Sequence, residues 1–117
     1  MPGVTEDLIR DFWRICEQGD FDKLMVFFAE DAVLVDPVFG TFEGHAAIAG
    51  FMTQMNEVTR TTGASFAVEE VAGDESTAWA RWTFAGPAGE GIGVSIFRIR
   101  DGLIVYEHDY AITNAAN

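Results

Sequence analysis

Residues 29–44 read AEDAVLVDPVFGTFEG, and the chain is organised around the point where this apolar run meets a proline. Ala32, Val33, Leu34 and Val35 are apolar and partly β-branched, the composition of a strand. Asp36-Pro37 stops it. Proline has a fixed φ and no amide hydrogen, and it biases the preceding residue towards extended backbone, which puts Asp36 at a strand end or bulge rather than inside a helix. Val38, Phe39 and Phe42 add apolar mass around it, and Gly40 and Gly44 supply turns before a helical period begins. A carboxylate held among aromatic rings is expected to have a raised pKa, which turns a weak aqueous base into a useful general base. The alternative is that Asp36 caps a turn ahead of the proline, and the residues alone leave both readings open.

Upstream, Thr5 is expected as an N-cap, with Glu6 and Asp7 in the first turn. Leu8, Ile9, Phe12, Trp13, Ile15 and Cys16 follow at helical spacing until Gly19 ends the run. Asp20 then caps a short second helix carrying Phe21, Leu24, Met25 and Phe28, closed by Glu30-Asp31. Beyond Gly44, the spacing of Ile48, Phe51, Met52, Met55 and Val58 predicts a third helix that terminates at 61–63.

The second half changes to a period of two. Strands are expected over 66–71, 76–85, 91–100 and 103–112, with a turn at Gly73-Asp74, a loop over 86–89 and a two-residue hairpin at Asp101-Gly102. Together with the short strand before Asp36, these antiparallel strands make a sheet that three helices can cover on one side, an α+β arrangement. Residues 113–117 are expected to fray.

Strand alternation sorts the side chains by face. Val94, Ile96 and Arg98 oppose Gly93, Ser95, Phe97 and Ile99. Ile104, Tyr106, His108 and Tyr110 oppose Leu103, Val105, Glu107, Asp109 and Ala111. Ala78, Ala80, Trp82 and Phe84 oppose Trp79, Arg81 and Thr83. Aromatic groups on both faces of a sheet covered on one side predict a homodimer through the other.

With 117 residues, 49% of them hydrophobic and 13% aromatic, the chain fits a single domain over 1–117 with one modest core. Ten Phe favour a cavity or an oligomer face. Seven Lys and Arg stand against nineteen Asp and Glu, a net charge of −12, so nucleic acid and anionic membranes are poor partners. The lone Cys16 excludes an internal disulfide and reads as a small buried hydrophobe. No basic segment leads into an apolar run and no stretch reaches membrane-spanning length, so a cytoplasmic protein is expected. No metal spacing joins His45 and His108, which fall on separate elements, and no phosphate loop precedes a helix.

The pattern resembles the nuclear-transport-factor-2-like superfamily, specifically its SnoaL-like and ketosteroid-isomerase-like members. The residues that carry the resemblance are Gly19-Asp20-Phe21-Asp22, Ala29-Glu30-Asp31-Ala32, Asp36-Pro37, Gly44-His45-Ala46-Ala47-Ile48 with Phe51, and Asp101-Gly102-Leu103-Ile104 running into Asp109-Tyr110. The resemblance implies a cone-shaped α+β barrel: three N-terminal helices against a strongly curved, mainly antiparallel sheet, with a pocket between them. It implies that Asp36 occupies the position of the proton-shuttling aspartate of the isomerases, and Asp109 that of the water-activating or acid/base aspartate of epoxide-hydrolase-like and cyclase members. This chain departs from both patterns. Phe12 and Ser95 stand where the isomerases place an oxyanion-hole tyrosine and a protonated aspartate, and Ala80 and Trp82 where the epoxide hydrolases place an arginine and an aspartate.

The resulting expectation is a cofactor-free acid/base enzyme of the isomerase, cyclase or hydrolase type for a small hydrophobic molecule, with Asp36 and Asp109 as catalytic groups. A non-catalytic binder or a protein-interaction module of the same fold is the alternative. Phe12, Trp13, Phe39, Phe51, Met52, Met55, Trp82, Phe84, Ser95, Phe97 and Glu107 are the candidate substrate contacts. An enolising enzyme also needs a donor for the developing oxyanion. Ser95, Trp13, Trp82 and a protonated Glu107 or Asp109 are the candidates, since acids sharing an apolar cavity cannot all ionise cheaply.

Overall fold

A computed structural model describes residues 4–87 and 89–113. The first amphipathic run forms helix α1 (Val4–Gln18), with Ile9, Phe12, Trp13 and Cys16 on its buried side. The second forms a 3-10 helix (Phe21–Phe27) rather than an α-helix. Its apolar residues Phe21, Leu24 and Phe27 recur every three positions, and a period of three is the one that keeps a single face on the core in this tighter geometry. It also ends earlier than its composition suggests. Phe28 begins strand β1 (Phe28–Asp36), so Glu30 and Asp31 are exposed residues of that strand and not a helix end.

The turn after Asp36 folds the chain back into a strand that the glycines had concealed, β2 (Gly40–Glu43), paired antiparallel to β1 with Asp36 opposite Gly40. Helix α2 (His45–Thr62) follows and is closed by Gly63 in the left-handed region at φ 73°, a conformation that glycine adopts without strain. The expected third helix is therefore present but not N-terminal to the sheet: it follows the β1–β2 hairpin. His45 is half-buried, and its Nε2 lies 3.2 Å from the carbonyl oxygen of Met25, tying the start of α2 to the 3-10 helix.

Four long strands complete the chain: β3 (Ser65–Gly73), β4 (Thr77–Gly86), β5 (Gly89–Arg100) and β6 (Leu103–Thr113). The six strands form one open sheet in the order β2-β1-β6-β5-β4-β3. It is a curved sheet with two free edges rather than a closed barrel, and β1 and β6 run parallel where all other neighbours are antiparallel. Asp101 and Gly102 have φ of 54° and 76°, the paired positive values of a type I′ turn, as the hairpin signal predicts.

Two bulges bend the sheet. One residue, Glu69, is extra between the β3 positions paired to Trp82 and Arg81, and another, Val105, between the β6 positions paired to Arg98 and Ile99. Each bulge shifts the alternation by one and strengthens the local twist. This corrects the simple sorting of β6: Ile104 is buried on the same inner face as Glu107, while Tyr106, His108 and Tyr110 face outwards. The alternation expected for β4 and β5 holds without change.

Helix α1 packs over β3 and β4, and α2 over β1, β2 and the 3-10 helix. Between helices and sheet, Phe12 meets Trp13, Phe27, Phe28 and Phe97 edge to face at centroid distances of 5.5–6.1 Å. Complete burial of a side chain such as Phe97 stabilises the fold by about 1.5–3 kcal/mol. No described helix is long and apolar enough to cross a membrane.

Candidate functional site

The inner face of the sheet and the helices leave a cavity of about 70 Å³. Its sheet wall is Leu34 and Asp36 of β1, Phe66 of β3, Trp82 of β4, and Glu107 and Asp109 of β6; its helical wall is Phe12, Trp13 and Cys16 of α1, Phe21 and Leu24, and Phe51, Met52 and Met55 of α2. Three carboxylic acids thus share a small, mostly apolar space. Two are separated by one residue on the same strand face.

Asp109 is held by a relay through the sheet. Trp82 Nε1–H donates to Ser95 Oγ at 2.9 Å, and the Ser95 hydroxyl donates to Asp109 Oδ1 at 2.6 Å. The register explains it: Ser95 lies opposite Asp109 on one side and opposite Ala80 on the other, two residues from Trp82. Gly93 lies opposite Trp82, and a Cβ there would overlap the indole, so the indole lies flat across β5 only because that position is glycine. Gly91 makes the same room for Phe84. Strand β5 therefore carries two glycines, Gly91 and Gly93, that admit aromatic rings.

Burial pushes Glu107 well above the ordinary carboxylate range, reinforced by the charge of Asp109, a hydrogen bond with Asp109 and the charge of Asp36. Burial also raises Asp109, but its hydrogen bonds with Glu107 and Ser95 oppose that shift, as does the neighbouring His108, while the charge of Asp36 adds to it. Glu107 is thus the acid that keeps its proton, and Asp109 the one equipped to ionise. Cys16, in the same wall, has its thiol pushed up by burial first and then by Glu107 and Asp109, so it remains a neutral apolar lining group.

Asp36 sits at the cavity in a different setting. It ends β1 as the proline predicts, yet its Oδ1 accepts from the backbone amides of Val38 and Phe39 at 2.8 and 2.9 Å. That is the turn-capping arrangement. The expected apolar enclosure is also incomplete, since Val38 is 78% exposed and Phe39 points its ring at Phe51 while remaining 40% exposed.

Among the expected substrate contacts, Phe12, Trp13, Phe51, Met52, Met55, Trp82 and Glu107 line the cavity. Phe39, Phe84, Ser95 and Phe97 do not. Phe39 packs on the rim, and Phe84 borders a separate groove with Phe66. Ser95 is fully buried behind Asp109, and Phe97 is fully buried against Phe12. Cys16, Phe21, Leu24, Leu34 and Phe66 were not among the expected contacts. Periodicity marks each as inward-facing, but it cannot separate a residue that touches the cavity from one that touches only core.

Two side chains that line the cavity each bury a polar atom without a partner. Trp13 Nε1 and Glu107 Oε1 have no hydrogen-bond partner among the described residues. Trp13 is 5% exposed and stacks on Trp82 at 5.4 Å, and Glu107 is 4% exposed.

Comparison with known proteins agrees with this architecture. The chain superposes on a candidate polyketide cyclase from Sinorhizobium meliloti with a TM-score of 0.74 at 23% identity, covering 89% of this chain and 94% of that one. It superposes on a candidate ketosteroid isomerase from Kribbella flavida with a TM-score of 0.80 at 17% identity, covering 95% and 79% respectively. A protein of unknown function with a cystatin-like fold from Methylobium petroleophilum gives a TM-score of 0.80 at 19% identity, covering 97% and 78%. At these identities the likeness establishes the fold alone. No curated protein matches the sequence. The SnoaL-like domain model matches residues 9–107, nearly the whole described chain, and the protein therefore belongs to the SnoaL-like domain family.

Proposed function

We propose that this chain is an acid/base catalyst of the isomerase or cyclase type, in which Asp109 takes a proton from carbon next to a carbonyl and Glu107 supplies the acid. The observation that carries the reading is the pair itself: two carboxylic acids on one strand face in an apolar cavity, one pushed towards the neutral form and the other held as an acceptor by Ser95. Environments that drive two neighbouring acids apart assign the base and acid roles, as they do in ketosteroid isomerases, where one aspartate is the base and a second stays protonated as a donor. Asp36 contributes charge at the cavity rather than the proton transfer itself, because its Oδ1 is engaged by two amides.

The cavity volume bounds the substrate. At about 70 Å³ the cavity favours a small ligand or one end of a larger one. Small carbonyl compounds, or the carbonyl end of a larger molecule, fit this description. The test is solvent-deuterium exchange and isomerisation across a panel of small ketones and enones. Turnover that falls at least a hundredfold in Asp109→Asn, with Asp36→Asn much less affected, supports the reading. Turnover that survives Asp109→Asn removes it, and binding with no turnover by the parent protein leaves a ligand-binding domain.

A second inference concerns assembly. On the outer face of β5 and β6, Ile92, Tyr110 and Ile112 are 51%, 53% and 74% exposed, and they line a shallow apolar groove with Pro37 and Val94. Large apolar groups clustered on one sheet face support self-association into a homodimer through that face.

A further inference from the structure

Of the side chains that line the cavity, Asp36, Met55, Phe66 and Asp109 are half-buried and the others are buried. A wall residue that keeps contact with solvent stands where the wall ends, so these four mark the mouth. Asp36 and Asp109 follow the paired positions Val35 and His108 of the parallel strands β1 and β6, which puts the two acids side by side on one stretch of the rim. Met55 and Phe66 make another stretch, and it is apolar.

That apolar stretch borders a groove of about 550 Å³ between the C-terminal ends of α1 and α2. Cys16 and Phe66 line both spaces. Met55 lines the cavity, and Thr59, four residues on and on the same helix face, lines the groove. Cys16 and Met55 are held in helices, whereas Phe66 is the second residue of β3, an edge strand paired only with β4. Gly63, in the left-handed region at φ 73°, closes α2 just before it. On the free edge of β3 the side chains of α1 take hold from Val68 onwards: Glu17 Oε2 accepts from the Val68 amide at 2.8 Å, and Arg10 donates to the Val71 carbonyl at 3.4 Å. Residues 64–67 thus lie between a helix cap and the first of these ties, and a segment with few anchors opens locally at low cost. The Phe66 ring rests on Phe21 and Trp82 at centroid distances of 5.9 Å, contacts that a turn of the side chain releases without unpairing the strand.

We infer that Phe66 is the gate of the cavity and sets the size of the ligand it admits. With the ring in place the cavity takes a small carbonyl compound; with the ring turned aside, a longer one keeps its carbonyl end beside the acids of the rim and lays its chain in the groove between α1 and α2. The inference rests on the cavity being the carbonyl site proposed above, and it decides between a small substrate and one end of a larger one. An open form populated at about 10% or less weakens a long ligand by about tenfold or more, and leaves a ligand that fits behind the ring unaffected.

The gate is tested first without a ligand. The chain has three tryptophans, and in Trp79→Phe, which alters only the outer face of β4, emission comes from Trp13 and Trp82 at the cavity. In that background Phe66→Ala is expected to raise the rate of quenching by acrylamide, Phe66→Leu to raise it less, and Phe39→Ala, at the rim near Phe51, to leave it unchanged, each with the fold intact by circular dichroism. Binding of 2-butanone and 2-octanone, by calorimetry, then reads size. Phe66→Ala is expected to tighten 2-octanone by at least about tenfold with no gain for 2-butanone. Thr59→Phe, which fills the groove, is expected to weaken 2-octanone by at least about fourfold, the worth of one buried methylene, and to spare 2-butanone. Quenching that is unchanged in both Phe66 variants, or that rises in Phe39→Ala instead, overturns the gate, as does an equal change in affinity for the two ketones. Asp109-dependent exchange of 2-butanone alongside that failure leaves the acid/base reading standing. The expected quenching and size selection with no exchange of either ketone keep the gate and overturn the acid/base reading.

Discussion

Ser95 Oγ and Asp109 Oδ1 lie 2.6 Å apart across directly opposed positions of β5 and β6, and this short bond joins the buried core of the sheet to the cavity. Ser95 is fully buried and receives a second bond from Trp82, so its hydroxyl has one orientation in which both neighbours are satisfied. A hydroxyl that must accept from the indole has its hydrogen free only for the carboxylate. The core thereby orients Asp109 and favours its charged form.

Ser95→Ala leaves both the Trp82 N–H and one Asp109 oxygen without that partner. A loss of about 1–3 kcal/mol in unfolding free energy is expected, measured by urea denaturation. Removing a bond that lowers the Asp109 pKa also lets burial raise it further. Because the folded state then holds its proton to higher pH than the unfolded chain, the deficit is larger at pH 7 than at pH 4. Equal deficits at the two pH values would contradict the assigned role of the hydroxyl.

Glu107→Gln is expected to stabilise the protein increasingly as pH rises. Below about pH 4.3 folded and unfolded chains both hold the Glu107 proton. Above it the unfolded chain releases the proton while the folded chain keeps it, so the parent loses stability with rising pH until the raised folded-state value is passed. The variant, which has no proton to lose, gains on the parent by up to about 1.4 kcal/mol per pH unit across that window. Denaturation midpoints of the two proteins followed from pH 4 to pH 8 test this, and parallel curves would show Glu107 to be an ordinary acid.

Gly93→Ala is expected to cost about 1–3 kcal/mol, since the added methyl group overlaps the Trp82 ring and forces it off β5. The displaced indole cannot keep its bond to Ser95, so the Trp82 side-chain N–H signal should move as well. A glycine acting only through backbone freedom would lose stability without moving that resonance.

Ile92→Glu is expected to shift the protein towards monomer in sedimentation velocity, with the fold intact by circular dichroism, because it places a charge on the exposed apolar face of β5. Each copy carries a net charge of −12, so association of the parent should tighten as salt screens the repulsion. A parent protein that sediments as a monomer at every salt concentration would remove the dimer.

Much of the fold is legible in local pattern. The 3.6-residue stripe of α1, the Asp101-Gly102 turn and the period-two alternation of β4 and β5 each depend on neighbours in sequence, and each is where the pattern puts it. The second helix and β2 were less readable. A seven-residue segment carries too few turns to separate a period of three from one of 3.6, and Gly40-Thr41-Phe42-Glu43 becomes a strand only because β1 offers it a partner. The bulges at Glu69 and Val105 leave no mark in composition, yet the second decides which face Ile104 shares with Glu107.

The site divides in the same way. By itself the sequence determined α1, α2 and the four long strands, the inward stripe of aromatic residues, the strand end at Asp36 and the shared strand face of Glu107 and Asp109, because backbone sterics and side-chain periodicity act over a few residues. Only the tertiary structure decided that Asp36 caps a turn, that Ser95 bonds Asp109, and that Trp13 and Glu107 line one cavity while each buries an unpaired atom. Burial and hydrogen-bond competition depend on which distant strands and helices meet, and that information lies in the packing rather than in any local stretch of chain.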